Sequence, residues 1–254
     1  MTNTVASEWV KVWSVRSTWW CLAATMVLMV LTALTLGGSA VTEQRQVLDA
    51  SGPVVSATSF VQFSLVALAM LVITSEYSSG SIRSTLQATP IRGRVLAAKA
   101  LVVAPVLFVA GVVSGAVATA VVYVVLSAEV FGGLVRLEPG ALVHDLVTAG
   151  VFFALVGVMT VGTGAALRGA AGTLTVVFML LMGLPLLLVM TGVPLALEIS
   201  LRMPMFAGLA FMGSADNLTG GPIPYSAGEG LAWLVGWAAV ALVAGLAVLR
   251  RRDA

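Results

Sequence analysis

Six apolar runs, at about residues 19–36, 57–74, 97–126, 142–167, 173–191 and 231–249, leave this chain little choice of fold. A helix crosses the roughly 30 Å hydrocarbon core of a bilayer in about 20 apolar residues. Lipid offers backbone N–H and C=O groups no partners, so such runs are helical. The rest of the composition agrees: 59% of residues are hydrophobic and 9% charged, against about 25% charged in a soluble domain. The expectation is an all-α polytopic membrane protein, with residues 1–254 forming one transmembrane domain of six spans.

The runs are not uniform. The second is slightly short and holds Ser59, Gln62 and Ser64. The third is longer than a span needs, so its helix is expected to project beyond the membrane or to tilt. It carries Gly111 and Gly115 at GxxxG spacing, which lets another helix approach closely. Pro185 lies inside the fifth and is expected to kink it. Between the fifth and sixth runs lies an irregular segment, 192–230, with Pro194, Pro204, Pro222 and Pro224. Its first part is too apolar for a solvated loop and too broken for a plain span. It reads as short helices that re-enter the membrane or lie on its outer face. Asn217-Leu218-Thr219 matches a glycosylation sequon and reads as a chance match.

Ahead of the first run, the segment from about Val5 to Thr18 is patterned at helical spacing. Val5, Ala6, Trp9, Val12 and Trp13 share one face, and Ser7, Lys11, Ser14 and Thr18 the opposite one; Val10, Val15 and Arg16 break the pattern. An amphipathic helix lying in the membrane interface, with Trp at headgroup level, fits this better than a plain extension of the first span. A patterned lead of this length before a spanning run is not a cleavable signal peptide.

The stretch Glu76–Lys99 separates the second and third runs. It holds Arg83, Arg92, Arg94 and Lys99 of the thirteen basic residues in the chain. Each Arg at the bilayer centre costs about 2.5–3.5 kcal/mol on the insertion scale, so three cost roughly 8–10 kcal/mol and the stretch does not span. It reads as a connector, part helix, with a turn signal at Pro90-Ile91-Arg92-Gly93-Arg94.

Charge sets the orientation. With six spans the termini share a side. That side carries Lys11, Arg16, Arg83, Arg92, Arg94, Lys99, Arg168 and Arg250 to Arg252, which is ten of thirteen basic residues. The other side carries Arg45, Arg136 and Arg202 and eight of eleven acidic residues. The positive-inside rule places both termini in the cytoplasm. One more full span within 192–230 would move the C-terminus outside, and the Arg250–Arg252 cluster argues against it.

Enzymatic chemistry finds little footing. There is no phosphate-binding GxxxxGK[ST] loop and no HExxH metal motif. Cys21 is the only cysteine and His144 the only histidine, so disulfide frameworks, CxxC metal sites and cofactor sites are not expected. His144-Asp145 reads as an interfacial polar pair rather than a proton relay. A net charge of +2 without basic–aromatic clusters gives no reason to expect nucleic acid. Charges within the runs are scarce, whereas ion-coupled carriers use acids or bases in mid-membrane.

Two segments carry a resemblance. EWVKVWSVRSTWW at Glu8–Trp20 and SEYSSGSIRSTLQATPIRGRVLAAKALV at Ser75–Val102 resemble the membrane-domain permeases of ATP-binding cassette exporters of the ABC2 type, in particular actinobacterial members. The Glu-Tyr-x-x-Gly-x-Ile-Arg string at Glu76–Arg83 is the most specific part. The resemblance implies that Glu76, Tyr77, Gly80, Ile82 and Arg83 open a coupling helix that docks on an ATPase subunit. It implies that the N-terminal helix, with Glu8 and Lys11, contacts the same region. It further implies two permease copies, or one copy and a similar partner, with two copies of a separate ATPase, and short external helices before the last span. Polar or small residues on the second and fifth spans, Ser59, Gln62, Thr175 and Met179, are candidates to line a translocation path. Two other readings stay open: a secondary carrier working without an ATPase, and a non-transporting scaffold or sensor subunit.

Overall fold

The computed structural model describes residues 2–44, 48–88, 91–128, 135–214 and 223–251. Arg45, Pro90, Glu129, Gly132, Gly133, the sequon at Asn217 and the last residues from Arg252 lie outside these. Among the described residues, six helices are long and apolar enough to cross a membrane, the architecture of a multi-pass membrane protein. Helix α1 (Thr2–Ser14) precedes the first, α2 (Arg16–Gln44). The second is α3 (Gly52–Ser78), followed by the short α4 (Ile82–Ala88) and the third, α5 (Arg92–Leu126). The fourth is α6 (Pro139–Leu167). The fifth runs through α7 (Ala170–Phe178), a π-helical turn (Met179–Gly183) and α8 (Leu184–Met190). Helices α9 (Pro194–Leu201) and α10 (Pro204–Met212) precede the sixth, α11 (Ala227–Arg251).

Every helix exceeds the apolar run that announced it, because polar residues at the run ends keep the helical backbone. Helix α5 has 35 residues, about 52 Å at about 1.5 Å per residue, well beyond the roughly 30 Å hydrocarbon core. Helices α3 and α6 form the centre, with 67% of the spanning window of each buried, against 22% for α2, 22% for the fifth span and 17% for α11. Helix α5 is intermediate at 44%.

Apolar faces gain nothing from leaving lipid for a protein neighbour, so close packing holds such helices together. A Cβ on Gly111 would meet the Phe153 ring at 2.5 Å, which puts the GxxxG pair against α6. Two glycines that carry no such motif go further. A Cβ on Gly162 would lie 2.5 Å from the Ala241 carbonyl carbon, and one on Gly245 would lie 2.5 Å from the Gly162 oxygen. Helices α6 and α11 therefore touch backbone to backbone.

Pro185 does more than kink. It stands at the start of α8, directly after the π-helical turn. Proline lacks the N–H that a regular turn needs, and the widened turn absorbs the mismatch. The segment after the fifth span forms α9 and α10, bent by 65° at Arg202-Met203. Far from α1, two short strands, β1 (Leu48–Asp49) and β2 (Val135–Arg136), pair in parallel. No sequence signal announced that pairing.

Candidate functional site

Two lysines and two glutamates join three helices at the end of the bundle where α1 docks. Helix α1 stops at Ser14, earlier than its polar pattern suggests. Thr18 lies in α2, where its hydroxyl donates to the Val12 carbonyl at 2.6 Å. The buried edge of α1 is not its tryptophan face. It is the edge of Glu8 and Val12, 1% and 3% exposed, while Trp9 is 46% exposed. Trp9 and Trp13 meet edge to face, and Trp13 and Trp19 meet at a tilt, with ring centroids 5.7 and 5.3 Å apart.

A buried carboxylate needs compensation, and Glu8 receives it twice. Lys99 Nζ donates to Glu8 Oε2 at 2.7 Å and to Glu76 Oε1 at 2.8 Å. Lys11 Nζ donates to Glu8 Oε1 at 2.7 Å and to Glu76 Oε1 at 2.8 Å. Lys99 also reaches the Val72 carbonyl at 3.2 Å. Two cations meet two anions, so the set is neutral, and it clasps α1, α3 and α5. Lys99 is 0% exposed. It is not the solvated connector residue that its position suggested, because α5 begins at Arg92 and carries it inward. Burial works against the Lys11 ammonium, but its hydrogen bonds to Glu76 and Glu8 outweigh that and hold its pKa above 10.5.

The remaining residues of the Glu76–Arg83 string divide between two helices. Glu76 and Tyr77 close α3 and do not open a helix. Gly80 turns the chain with φ +74°, a backbone that favours glycine. Ile82 and Arg83 begin α4. Ile82 is buried and anchors α4, and Arg83 stands exposed on it. Arg168 ends α6 in the left-handed conformation, φ 60°, uncommon for a residue with a Cβ. That turn lays its guanidinium over the Tyr77 ring, 5.7 Å from the centroid. On the far edge of this junction, Arg92 donates to the Leu249 carbonyl and ties α5 to the end of α11.

A cavity of about 380 Å³ opens beside the charge cluster, between α1, the start of α2, the end of α3 and α4. Glu8, Lys11 and Glu76 form its polar wall, and Val12, Leu68 and Leu71 part of its apolar one. At the opposite end a second cavity, about 360 Å³, lies among Glu198, Arg202, Tyr225, Glu229 and Trp233. Burial pushes the Tyr225 phenol up to about 12, and its hydroxyl donates to the Leu201 carbonyl.

The four path candidates do not converge within one chain. Ser59 and Gln62 lie inside the bundle, Gln62 at 0% exposure. The Gln62 amide donates to the Ser59 carbonyl at 2.7 Å, and its Oε1 is buried without a hydrogen-bond partner among the described residues. Thr175 and Met179 lie on the outer surface of the fifth span. His144 Nδ1 sits 3.3 Å from Asp145 Oδ1 with its side chain 58% exposed. Among the described residues no three His, Cys, Asp or Glu side chains gather closely enough to hold a metal ion.

The buried Lys99 is the member of this cluster that the sequence reading missed. The signal was present. A lysine carried two turns into a spanning helix and enclosed there is costly unless something compensates it. The side that bears Lys11 and Lys99 holds few acids other than Glu8 and Glu76.

No protein-family model matches this sequence, and no curated protein matches it.

Proposed function

We propose that the chain is the membrane-spanning subunit of an ATP-driven exporter, a permease of the ABC2 type in the bacterial cytoplasmic membrane with both termini in the cytoplasm. The observation that carries this reading is the junction at the α1 end. An exposed, arginine-bearing helix, α4, is hinged at Gly80 between two spans, and α1 is bound by charge to both of them. A push on α4 or α1 therefore reaches α3 and α5 together. The Glu76–Arg83 resemblance and the concentration of basic residues on this side support the same assignment.

On this reading a separate ATPase, in two copies, docks on α4 and on the outward face of α1. Closure of its cassettes rocks α3 and α5, and the path forms between two permease copies or one copy and a similar partner. Thr175 and Met179, outward on the fifth span, would face such a path only across that pair. Helix α1 lies in the inner interface, and α9 and α10 cover the outer end. The apolar bundle suits a hydrophobic or amphipathic cargo such as a drug, an antibiotic or a lipid.

The clean probe of the handle is Arg83, which is exposed, rather than Glu76, which also holds the bundle together. Arg83→Ala is expected to lower transport-coupled ATP hydrolysis while the chain stays folded. Normal coupling by that variant would make the handle assignment wrong. Gentle purification of the tagged chain from its own host, with mass spectrometry of what accompanies it, is expected to recover a soluble protein with a phosphate loop.

One observation favours a second reading. Glu76 and Lys99 are buried ionisable groups on membrane-crossing helices, as ion-coupled carriers require. That reading predicts uptake by the purified chain in liposomes under a proton gradient alone.

A further inference from the structure

We propose that the cavity beside the charged cluster holds the phosphate of an anionic phospholipid, taken from the leaflet at the α1 end of the bundle. Lys11, Ser17 and Ser75 are its donors, and the start of an acyl chain lies on Val15, Leu71 and Val72. The volume, about 380 Å³, falls at the lower end of small-molecule sites, about 300–1,000 Å³. The rest of the lipid stays in the bilayer.

The groups that reach the cavity set the chemistry. A lysine ammonium has three N–H groups. Lys11 gives one to Glu8 and one to Glu76, which leaves the third, on a side chain 44% exposed. The Ser17 and Ser75 hydroxyls stand in the same wall and make no hydrogen bond among the described residues. The carboxylates of that wall are spent. Glu8 is 1% exposed and gives both oxygens to lysines. Glu76 Oε1 takes two N–H groups, and its Oε2 is enclosed. The charged atom that a ligand meets is therefore the Lys11 ammonium. Beside two free hydroxyls, it suits an anion with several acceptor oxygens.

Two further observations select a lipid phosphate. The four clustered charges sum to zero, so their neighbours set the sign of the rim. Arg16 precedes Ser17 and Arg83 precedes Ser84, and both arginines are exposed. They attract a phosphodiester and repel the ammonium of a zwitterionic head group. The second observation is height. Helix α2 begins at Arg16, and Trp19 and Trp20 just inside it are 58% and 76% exposed. Exposed tryptophans near the end of a spanning helix sit at head-group level. Ser17, two residues before them, stands where lipid phosphates lie.

This lipid is a resident ligand rather than cargo, and its test involves no ATPase. The full chain in detergent is titrated with phosphatidylglycerol or phosphatidylcholine, and bound molecules are counted by native mass spectrometry. A further arm adds inorganic phosphate as a competitor. The expected result is one phosphatidylglycerol retained where phosphatidylcholine is lost, and no displacement by inorganic phosphate. Lys11 is left intact, because it also closes the charged joint. Ser17→Ala with Ser75→Ala removes two donors and no hydrogen bond within the chain. It is expected to weaken the retained lipid about tenfold or more, the scale for losing two hydrogen bonds. Ser75→Glu, at an exposed position, sets a carboxylate in the cavity wall and is expected to abolish retention; if it does not fold, the double serine variant decides. Unchanged binding by either folded variant would overturn the site. Equal retention of phosphatidylcholine would overturn the selection of an anionic head group. Displacement by inorganic phosphate would overturn the lipid as the source of the anion.

Discussion

Where α1 docks, four oppositely charged side chains join three helices, two of them fully enclosed; at the other end, helices are joined by neutral donors and by ion pairs that face water. There Ser200 donates to the Pro185 carbonyl at 2.8 Å and Trp237 to the Arg202 carbonyl at 2.9 Å, and Arg136 pairs with Asp49 on the surface. Losing a contact at that end strands no buried ion: the group left behind is a neutral carbonyl or a charge that water reaches. The charged end behaves as one unit. Removing any member strands an ion that the remaining partners no longer balance. A structure that must pass force between α4, α1 and two spans is better served by the second kind of joint.

The largest expected effect breaks that joint. Lys99→Ala leaves Glu8 and Glu76 facing each other with Lys11 alone and is expected to cost about 3–5 kcal/mol, the scale for uncoupling a buried ion, read as a lowered unfolding midpoint in detergent. The double variant Lys99→Met with Glu8→Gln keeps the charge balanced and should lose clearly less. If the two variants fall together, the cluster is not a unit. Ser200→Ala comes next. It leaves the Pro185 carbonyl without its partner in a buried place and is expected to cost about 1–3 kcal/mol. Arg136→Ala ends the series: its side chain is 60% exposed, and no measurable change in the unfolding midpoint is expected.

The two ends also differ in how they answer alkali. A group whose pKa folding raises contributes fully below its unfolded pKa and loses that contribution as pH rises through the folded one. For Lys11 the loss begins only above 10.5. The docking of α1, followed by Trp9 and Trp13 fluorescence, should therefore stay constant through the neutral range and loosen in strong alkali. For Tyr225 the contribution is complete below the ordinary phenol value of 10.0 and gone beyond about 12. The tyrosinate absorbance that disappears in Tyr225→Phe should titrate near 12, and a midpoint near 10 would mean that the phenol is not enclosed.

The sequence read clearly wherever one segment carried its own answer. Span number follows from apolar length, and the helical connector α4 from arginines that a bilayer would not accept. What it hid are juxtapositions. Glu8, Glu76 and Lys99 belong to three separate helices, and each alone looks like a charge at a water boundary. The amphipathic pattern of α1 points to its tryptophans, while the docking edge is set by a carboxylate whose buried partner, Lys99, lies 91 residues further on. Gly162 and Gly245 have no glycine four residues away on their own helices, so spacing does not mark them. The π-helical turn at Met179–Gly183 is a compromise with Pro185 that helix periodicity does not encode. The site is legible in part: the Glu76–Arg83 string stands out in the sequence, but its division at Gly80 between the end of α3 and the start of α4 appears only in three dimensions.

Lysine is the usual target of acylating reagents, and this sequence holds two, Lys11 and Lys99, against eleven arginines. Their side chains are 44% and 0% exposed, and both sit in the charged joint. Acylation followed over time thus separates a lysine reached directly from one reached only when α1 lifts away. The ratio of modification at Lys99 to that at Lys11 becomes a clock for opening of this junction, native to the protein and needing no introduced label.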